Sequence, residues 1–335
     1  MSDRERVAVA EALTQAHRVA VVMHVLPDGD TTGAALGLAA LLAAQGKSVA
    51  VVSPEPVLPA FRFLPGSADV RTPADLPLRG PAADVVVTVD CGDPGRCLGP
   101  VLLSSLAPVV INIDHHRSNP RFGDLNWVEP ERAAVGDMLV DLSDAAGWPL
   151  NPAAALCLYV SVASDTEGFR FGSHDSHLLE LGARLVRQGI DPDAVSRHLW
   201  ETRPWTAAQL EGWVLSHLER TLSGRVAWAR LPWEVQARLG AQAEHAEGLV
   251  GSVRALEGVQ LALLFREEAS GRVKVSLRSR PPFDAGALAA QLGGGGHRHS
   301  AAAELGGGLD QAGRQVRDAV AHAYGERMAW TDLST

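Results

Sequence analysis

No apolar stretch of this 335-residue chain reaches the roughly 18–20 residues needed to cross a bilayer. A membrane-spanning protein is therefore not expected. Cysteine is scarce: Cys91, Cys97 and Cys157 are too few for a disulfide framework, which points to a reducing compartment. The opening residues, Met1-Ser2-Asp3-Arg4-Glu5-Arg6, lack the apolar core of a secretory signal, and a cytoplasmic protein is expected. There is no basic excess either. Residues 1–224 hold 17 Lys and Arg against 27 Asp and Glu, a balance of −10; residues 225–335 hold 13 against 12, a balance of +1. A general binder of long duplex DNA needs a basic face, so that class is set aside. Internal repeats and low-complexity tracts are absent, apart from a glycine run at 293–296. What is present is a hydrophobic fraction of 46% with 21% charged residues, enough at this length for the cores of two domains.

Apolar runs alternate with helical patterns through the first 200 residues. Strands are expected at about 19–23, 47–52, 85–89 and 108–113, and helices at about 5–18, 31–44, 132–146 and 153–163. A short helix is expected near 57–64 in a Pro- and Gly-rich segment, and 174–202 reads as helical. Strand–helix alternation of this kind gives right-handed βαβ units and a parallel sheet, hence an α/β fold. A boundary is expected between about 200 and 224. Beyond it, strands are read at 225–229, 259–265 and 273–277, the last two flanking a turn at Ala269-Ser270-Gly271, with helices at 285–292 and 310–325.

Three of the apolar runs end in acids and imidazoles. Val19–Met23 leads to His24, Asp28 and Asp30; Val85–Val89 leads to Asp90; Val109–Ile113 leads to Asp114, His115 and His116. Ligands of α/β proteins gather at the carboxyl ends of parallel strands. Asp28 and Asp30, one residue apart, repel each other unless a cation lies between them; the plainer reading is an Asp-Gly turn that caps a helix. With Asp90, Asp114, His115 and Asp165 added, acids and imidazoles converge from four segments. That set suits two divalent ions about 3.5–4 Å apart, bridged by one carboxylate. Nitrogen and oxygen donors without thiolate favour Mn²⁺, with Mg²⁺, Zn²⁺, Fe²⁺ or Co²⁺ as substitutes. Cys91 should point to the opposite face of its strand and be structural. A second constellation is Gly293-Gly294-Gly295-Gly296-His297, whose backbone N–H groups can cradle an anion, near Arg278 and Ser279 at a strand end. The plainer reading there is a flexible turn and a solvated strand end.

The order His24-x-x-x-Asp28-x-Asp30, Asp90, Asp114-His115-His116 and Asp165-Thr166 resembles the four motifs of the DHH phosphoesterase superfamily. The glycine–histidine run after Val273–Ser279 resembles the DHH-associated C-terminal domain, and the resemblance covers nearly the whole chain. It implies residues 1–200 as a DHH catalytic metal-binding domain, 201–224 as a linker and 225–335 as a nucleotide-binding domain, with the active site in the cleft between the two domains. By motif position it assigns His24 and Asp28 to one Mn²⁺, Asp30, His115 and Asp165 to the other, and Asp90 to the bridge. His116 would contact the scissile phosphate and Asp114 would orient the histidines. Arg278, Ser279, Gly294, Gly295, Gly296 and His297 would hold the far end of a nucleotide.

Length and layout resemble the nanoRNase branch, whose members degrade oligonucleotides of a few residues and dephosphorylate 3′-phosphoadenosine-5′-phosphate. The implied partners are short RNA or DNA oligonucleotides and nucleoside 3′,5′-bisphosphates, in a homodimer and away from membranes. The principal alternative is a phosphodiesterase for cyclic di-AMP or linear dinucleotides. A RecJ-type exonuclease is disfavoured by the lack of an extra nucleic-acid domain, a family II pyrophosphatase by the glycine–histidine run, and a non-catalytic nucleotide sensor by the intact donor set. Two departures from the family pattern stand out: Glu167 separates Thr166 from Gly168, and Ser300-Ala301-Ala302 replaces the usual Ala-Ala-Gly.

Overall fold

The computed structural model describes residues 2–75, 83–171 and 176–324. The first two residues of the expected 174–202 helix, His174 and Asp175, lie outside them, as does the last residue of the expected 310–325 helix. The chain divides into two compact units, Met1–Thr202 and Arg203–Thr335. Among the described residues, no helix is long and apolar enough to cross a membrane.

The first unit runs α1 (Ser2–Gln15), β1 (Arg18–Val22), α2 (Gly29–Ala44), β2 (Ser48–Val52), β3 (Val85–Val89), α3 (Pro100–Leu106), β4 (Val109–Asp114), β5 (Leu125–Val128), α4 (Val135–Ala145), α5 (Pro152–Asp165), α6 (His177–Val186) and α7 (Pro192–Ser196). Its sheet is parallel throughout, in the order β2-β1-β3-β4-β5. Alternate side chains of each strand go to opposite faces. Val19, Val21, Val85, Val87, Ile111 and Ile113 join the core beneath α2, α4 and α5. Ala20, Val22, Val86 and Val110 join a second core with Leu103 and Leu106 of α3. Burial on both faces explains why these strands read as unbroken valine runs. Elements α3 and β5 were not expected from the sequence. The segment around 57–64 forms only a single tight turn at Pro59–Phe61. Asp28 rather than Thr31 caps α2, because its carboxylate accepts the Thr31 N–H at 3.1 Å.

Helix α2 is apolar on nearly every side and packs most closely against α5. Gly29, Gly33 and Gly37 recur every fourth residue and so share one face. A Cβ on Gly33 would stand 2.4 Å from the Cys157 carbonyl oxygen and 2.6 Å from the Ser161 nitrogen, and one on Gly37 2.6 Å from Leu158 Cδ2. Gly136 at the start of α4 is closed in the same way, 2.2 Å from Ser161 Oγ. Close approach of this kind, backbone against backbone at Gly33, sets the spacing between the helix that carries Asp30 and the helix that ends in Asp165.

The second unit runs α8 (Trp205–Ser216), β6 (Glu219–Thr221), β7 (Val226–Leu231), α9 (Trp233–Leu239), α10 (Leu249–Arg254), β8 (Leu261–Glu267), β9 (Val273–Ser279), α11 (Ala285–Gln291), β10 (Gly295–Gly296), β11 (Ser300–Leu305) and α12 (Gly308–Tyr324). Its mixed sheet has the order β10-β11-β9-β8-β7-β6, in which β7 and β8 are parallel. The stretch 201–224, expected as a linker, instead contains α8 and β6. Leu210 and Val214 of α8 are fully buried with Ala227, Ala229 and Ala262, so that helix is part of this unit's core. Chain that buries apolar side chains cannot act as a loose connection.

The glycine stripe yields a paired prediction. Gly33→Ala should destabilise the protein by about 1–3 kcal/mol, because a methyl group against backbone atoms forces the helices apart. Gly212→Ala, in the exposed middle of α8 with open space around it, should stabilise by about 0.5–1 kcal/mol through helix propensity. Urea denaturation of both variants checks this; equal midpoints for Gly33→Ala and the parent would refute tight α2–α5 packing.

Candidate metal centre

The carboxyl ends of β1, β3 and β4 deliver the donors, with α2 and α5 completing the set. After β1, Val25 donates its N–H to the Arg96 carbonyl at 2.6 Å, and Leu26 donates its N–H to Glu55 at 2.7 Å. His24 Nδ1 lies 2.7 Å from the Val25 carbonyl oxygen, which can only accept. The proton therefore sits on Nδ1, and Nε2 faces the carboxylates. Asp30 follows in the first turn of α2, Asp90 directly after β3, and Asp165 at the end of α5.

The structure brings these residues into two donor groups that share Asp90. On one side, His24 Nε2 is 3.8 Å from Asp28 Oδ1 and 3.5 Å from Asp90 Oδ2. On the other, His115 Nε2 is 3.5 Å from Asp90 Oδ1, 3.6 Å from Asp30 Oδ2 and 3.6 Å from Asp165 Oδ2. These gaps are long for hydrogen bonds. They match the edges of a coordination polyhedron, since ligand atoms about 2.0–2.2 Å from one ion stand about 3.0–3.6 Å apart. Asp90 Oδ1 is buried and has no hydrogen-bond partner among the described residues, a position that a cation would satisfy. The chain can thus hold one ion with His24, Asp28 and Asp90, and a second with Asp30, His115 and Asp165, beside which Asp90 Oδ1 stands 3.5 Å from His115 Nε2.

Electrostatics agree with the geometry. Burial, with the charges of Asp90 and Asp165 added, holds the Asp30 carboxyl well above its ordinary range. Desolvation and the neighbouring Asp90 and Asp28 push Asp165 up to about 6. Asp90 lies well below the usual range because the imidazoles of His115, His24 and His116 outweigh its burial. Burial alone would lower His24, yet Asp90 and Asp28 raise it to about 9. Carboxylates and imidazoles crowded this closely hold protons that a divalent cation would displace.

Asp114 is fully buried, and its Oδ1 accepts from His116 Nδ1 at 2.8 Å. It does not orient both histidines, as the family pattern had implied: His115 Nδ1 donates instead to the Arg132 carbonyl at 3.0 Å. Asn119, which the sequence reading did not single out, donates to Asp114 Oδ2 at 2.5 Å and to Asn112 Oδ1 at 2.7 Å. Its position three residues after His116 was the only available signal. Backbone outliers mark the same place. Among the described residues seven non-glycine positions have positive φ, and Leu26, Asp90, Glu167 and Phe169 fall in the loops that carry donors, as strained backbone commonly does at functional sites. Glu167 shapes the turn after Asp165 at φ 49° and belongs to neither donor group. Cys91 turns into the second core beside Cys97, to which it is joined by a disulfide. One bridge in the loop after β3 is not a framework, Cys157 is a buried free thiol, and Cys91 faces away from the donors as expected.

In the second unit, the proposed nucleotide contacts divide. Ser279 is buried; its hydroxyl donates to the Arg298 carbonyl at 2.7 Å and accepts the Ala285 N–H at 3.0 Å. It therefore fastens the start of α11 rather than facing a ligand. Gly294 and Gly296 are glycines for a packing reason, since a Cβ would stand 2.1 Å from the Ala302 carbonyl oxygen or 2.6 Å from Ala301 Cα. The second half of the run, Gly295 and Gly296, forms the short strand β10, paired with β11, and is not an open loop. Gly293 and Gly295 have open space around their Cα, and of the two only Gly295 is among the expected nucleotide contacts. Arg278 and His297 are half-buried on β9 and beyond β10.

Residues 18–162 match the DHH family N-terminal domain, and residues 225–324 match the DHHA1 domain. The chain is 36% identical over 304 residues to the bifunctional oligoribonuclease and PAP phosphatase NrnA of Thermus thermophilus, covering 90% of this chain and 88% of that protein. A Bacillus subtilis protein of the same name is 27% identical over 84% of this chain and 87% of its own length. Among solved structures, an exopolyphosphatase-related protein from Bacteroides fragilis superposes with a TM-score of 0.86 at 25% identity, covering 96% of each chain.

Metal-free protein should lose stability as pH rises. The folded pKa of His24, about 9, lies above its ordinary value of 6.5, so its contribution is present below pH 6.5 and lost through pH 9. Asp165, raised from 3.8 to about 6, acts in the same direction between those values. Thermal melts of chelator-treated protein should show Tm falling from pH 5 to 9, with added divalent cation restoring most at the alkaline end. A cation effect that is the same at every pH would count against these donors.

Proposed function

The chain belongs to the DHH family, with a DHH N-terminal domain followed by a DHHA1 domain, and from this premise we propose that it is a metal-dependent phosphohydrolase of very short oligoribonucleotides. The same site is proposed to convert 3′-phosphoadenosine-5′-phosphate to AMP. The observation that carries the reading is the pair of donor groups on either side of Asp90, in a chain 36% identical along nearly its whole length to an oligoribonuclease and PAP phosphatase. Nitrogen and oxygen donors without thiolate support Mn²⁺ in both positions.

Divalent ions bound there supply positive charge to the phosphoryl oxygens and make water acidic enough to deprotonate near neutral pH. The protein's own groups do the rest. Asp114 holds His116 by Nδ1 at 2.8 Å and is itself held by Asn119, so the imidazole meets the scissile phosphate in a fixed orientation. Although burial opposes it, Asp114 with the charge of Asp90 raises the His116 pKa, which favours the protonated ring that offsets negative charge on phosphorus. Arg278, His297 and the backbone at Gly295 are proposed to hold the distal nucleotide, with Ser279, Gly294 and Gly296 as their supports. A substrate of two or three residues needs few phosphate contacts, in keeping with the net charge of −9.

The deciding measurement is hydrolysis, with added Mn²⁺ and with chelator, of RNA of two, three, five and twenty-four nucleotides, of the bisphosphate and of cyclic di-AMP. Metal-dependent cleavage confined to the short RNAs and the bisphosphate is expected, and Asp90→Ala should abolish it in a folded protein. Preference for cyclic di-AMP would make the chain a cyclic-dinucleotide phosphodiesterase, and preference for the long strand a RecJ-like single-strand exonuclease. Gly295→Ala should raise KM for dinucleotide about tenfold while leaving kcat and the melting temperature unchanged. An unchanged KM would remove that backbone from the substrate site.

A further inference from the structure

We propose that Arg132 is a positioning residue that presents His115 and Asp30 to a single divalent cation. The proposal rests on the metal-centre reading above and extends it to a residue outside every recognised motif. His115 can turn Nε2 toward Asp30, Asp90 and Asp165 only if its proton sits on Nδ1. The Arg132 carbonyl, an obligate acceptor 3.0 Å from Nδ1, enforces that tautomer. Three residues on, the Val135 N–H donates to Asp30 Oδ2 at 2.9 Å. The Gly136 N–H donates at 2.8 Å to Ser161 Oγ, whose hydroxyl donates in turn to Asp30 Oδ1. One backbone segment, 132–136, thus aims two members of the donor group Asp30, His115 and Asp165.

That segment runs from the turn after β5 into the first turn of α4 at Val135 and Gly136, and at Arg132 the backbone bonds of sheet or helix do not fix it. The Arg132 side chain does. Its Nε donates to Glu129 Oε2 at 2.7 Å, Nη1 to Asp137 Oδ1 at 3.1 Å, and Nη2 to Asp141. Each of those carboxylates is tied to a different part of the fold. Glu129 accepts from the buried Trp127 indole at 2.6 Å, the buried Asp137 is paired with His177 of α6 at 2.8 Å, and Asp141 lies 3.6 Å from Arg6 of α1. The guanidinium reaches three carboxylates in fixed directions at once, which a lysine ammonium on a flexible stem cannot do.

Full-length wild type, Arg132→Lys and Arg132→Ala are titrated with Mn²⁺, reading free ion by its electron paramagnetic resonance signal, and the metal-free proteins are melted alongside. The expected result is two bound ions in the wild type, with one losing about 10–100-fold in affinity in Arg132→Ala and the other within about threefold. Arg132→Lys should weaken the same ion by a smaller factor. A merely structural arginine would lower the metal-free Tm and leave affinity unchanged, or weaken both ions alike; either outcome overturns the proposal. If Arg132→Ala does not fold, Arg132→Lys and Glu129→Gln decide the matter, since each should weaken one ion selectively. Wild type that binds no pair of ions would overturn the metal-centre reading itself, and that result is separable because it appears before any variant is compared.

Discussion

Four carboxylates and two imidazoles crowd one place, with His24, Asp30, Asp90 and His115 buried, and the first unit is built around the repulsion this creates. Asp90 is the pivot. It is buried, leaves β3 in a left-handed conformation, and faces His24 with one oxygen and His115 with the other. Negative charge held this way is costly unless positive charge answers it. Protons on His24, Asp30 and Asp165 answer it in part, and two divalent ions would answer it more fully. Each nearby structural feature bears on that balance: the tautomers set by backbone carbonyls, the buried Asp114–Asn119 pair, and the strained loops that aim the side chains.

Holding such groups together requires rigid supports, and the supports are largely backbone. Helices α2 and α5 meet with almost no side chain between them at Gly33, where carbonyl and amide atoms take up the space of a Cβ. His24 and His115 are each directed by a main-chain carbonyl, and Asp30 by a main-chain N–H. Backbone moves less than side chain. Donors fastened to it keep their spacing when protons or ions come and go.

The donor residues were legible in the sequence because they announce themselves twice: as acids and imidazoles, and as abrupt ends to valine-rich runs. The parallel sheet was legible for the same reason, since only strands buried on both faces read that way. The glycines of α2 were not, because every fourth residue being small looks the same whether the face meets a helix or empty space. The anchor of His115 was invisible, since a carbonyl group carries no residue identity and its position depends on a turn after β5, a strand too short to show a pattern. The run at 293–296 misled for a related reason. Four glycines suggest an open loop, whereas two of them are required by the close approach of Ala301 and Ala302 to β10. Helix α8 was hidden by its composition, in which Trp205, Gly212 and polar residues obscure the buried Leu210 and Val214.

The contact between α2 and α5 also has a consequence for the birth of the molecule. Asp30 and the serine that fixes it, Ser161, are separated by 131 residues, and the main-chain donor to Asp30 comes 105 residues after it. A nascent chain emerging from the ribosome exposes His24, Asp28, Asp30 and Asp90 well before the partners that arrange them exist. Contacts this distant in sequence close late and at an entropic cost. The centre can therefore take shape only after translation has passed Asp165, and the early donors spend that interval as an ordinary acidic, solvated stretch of chain.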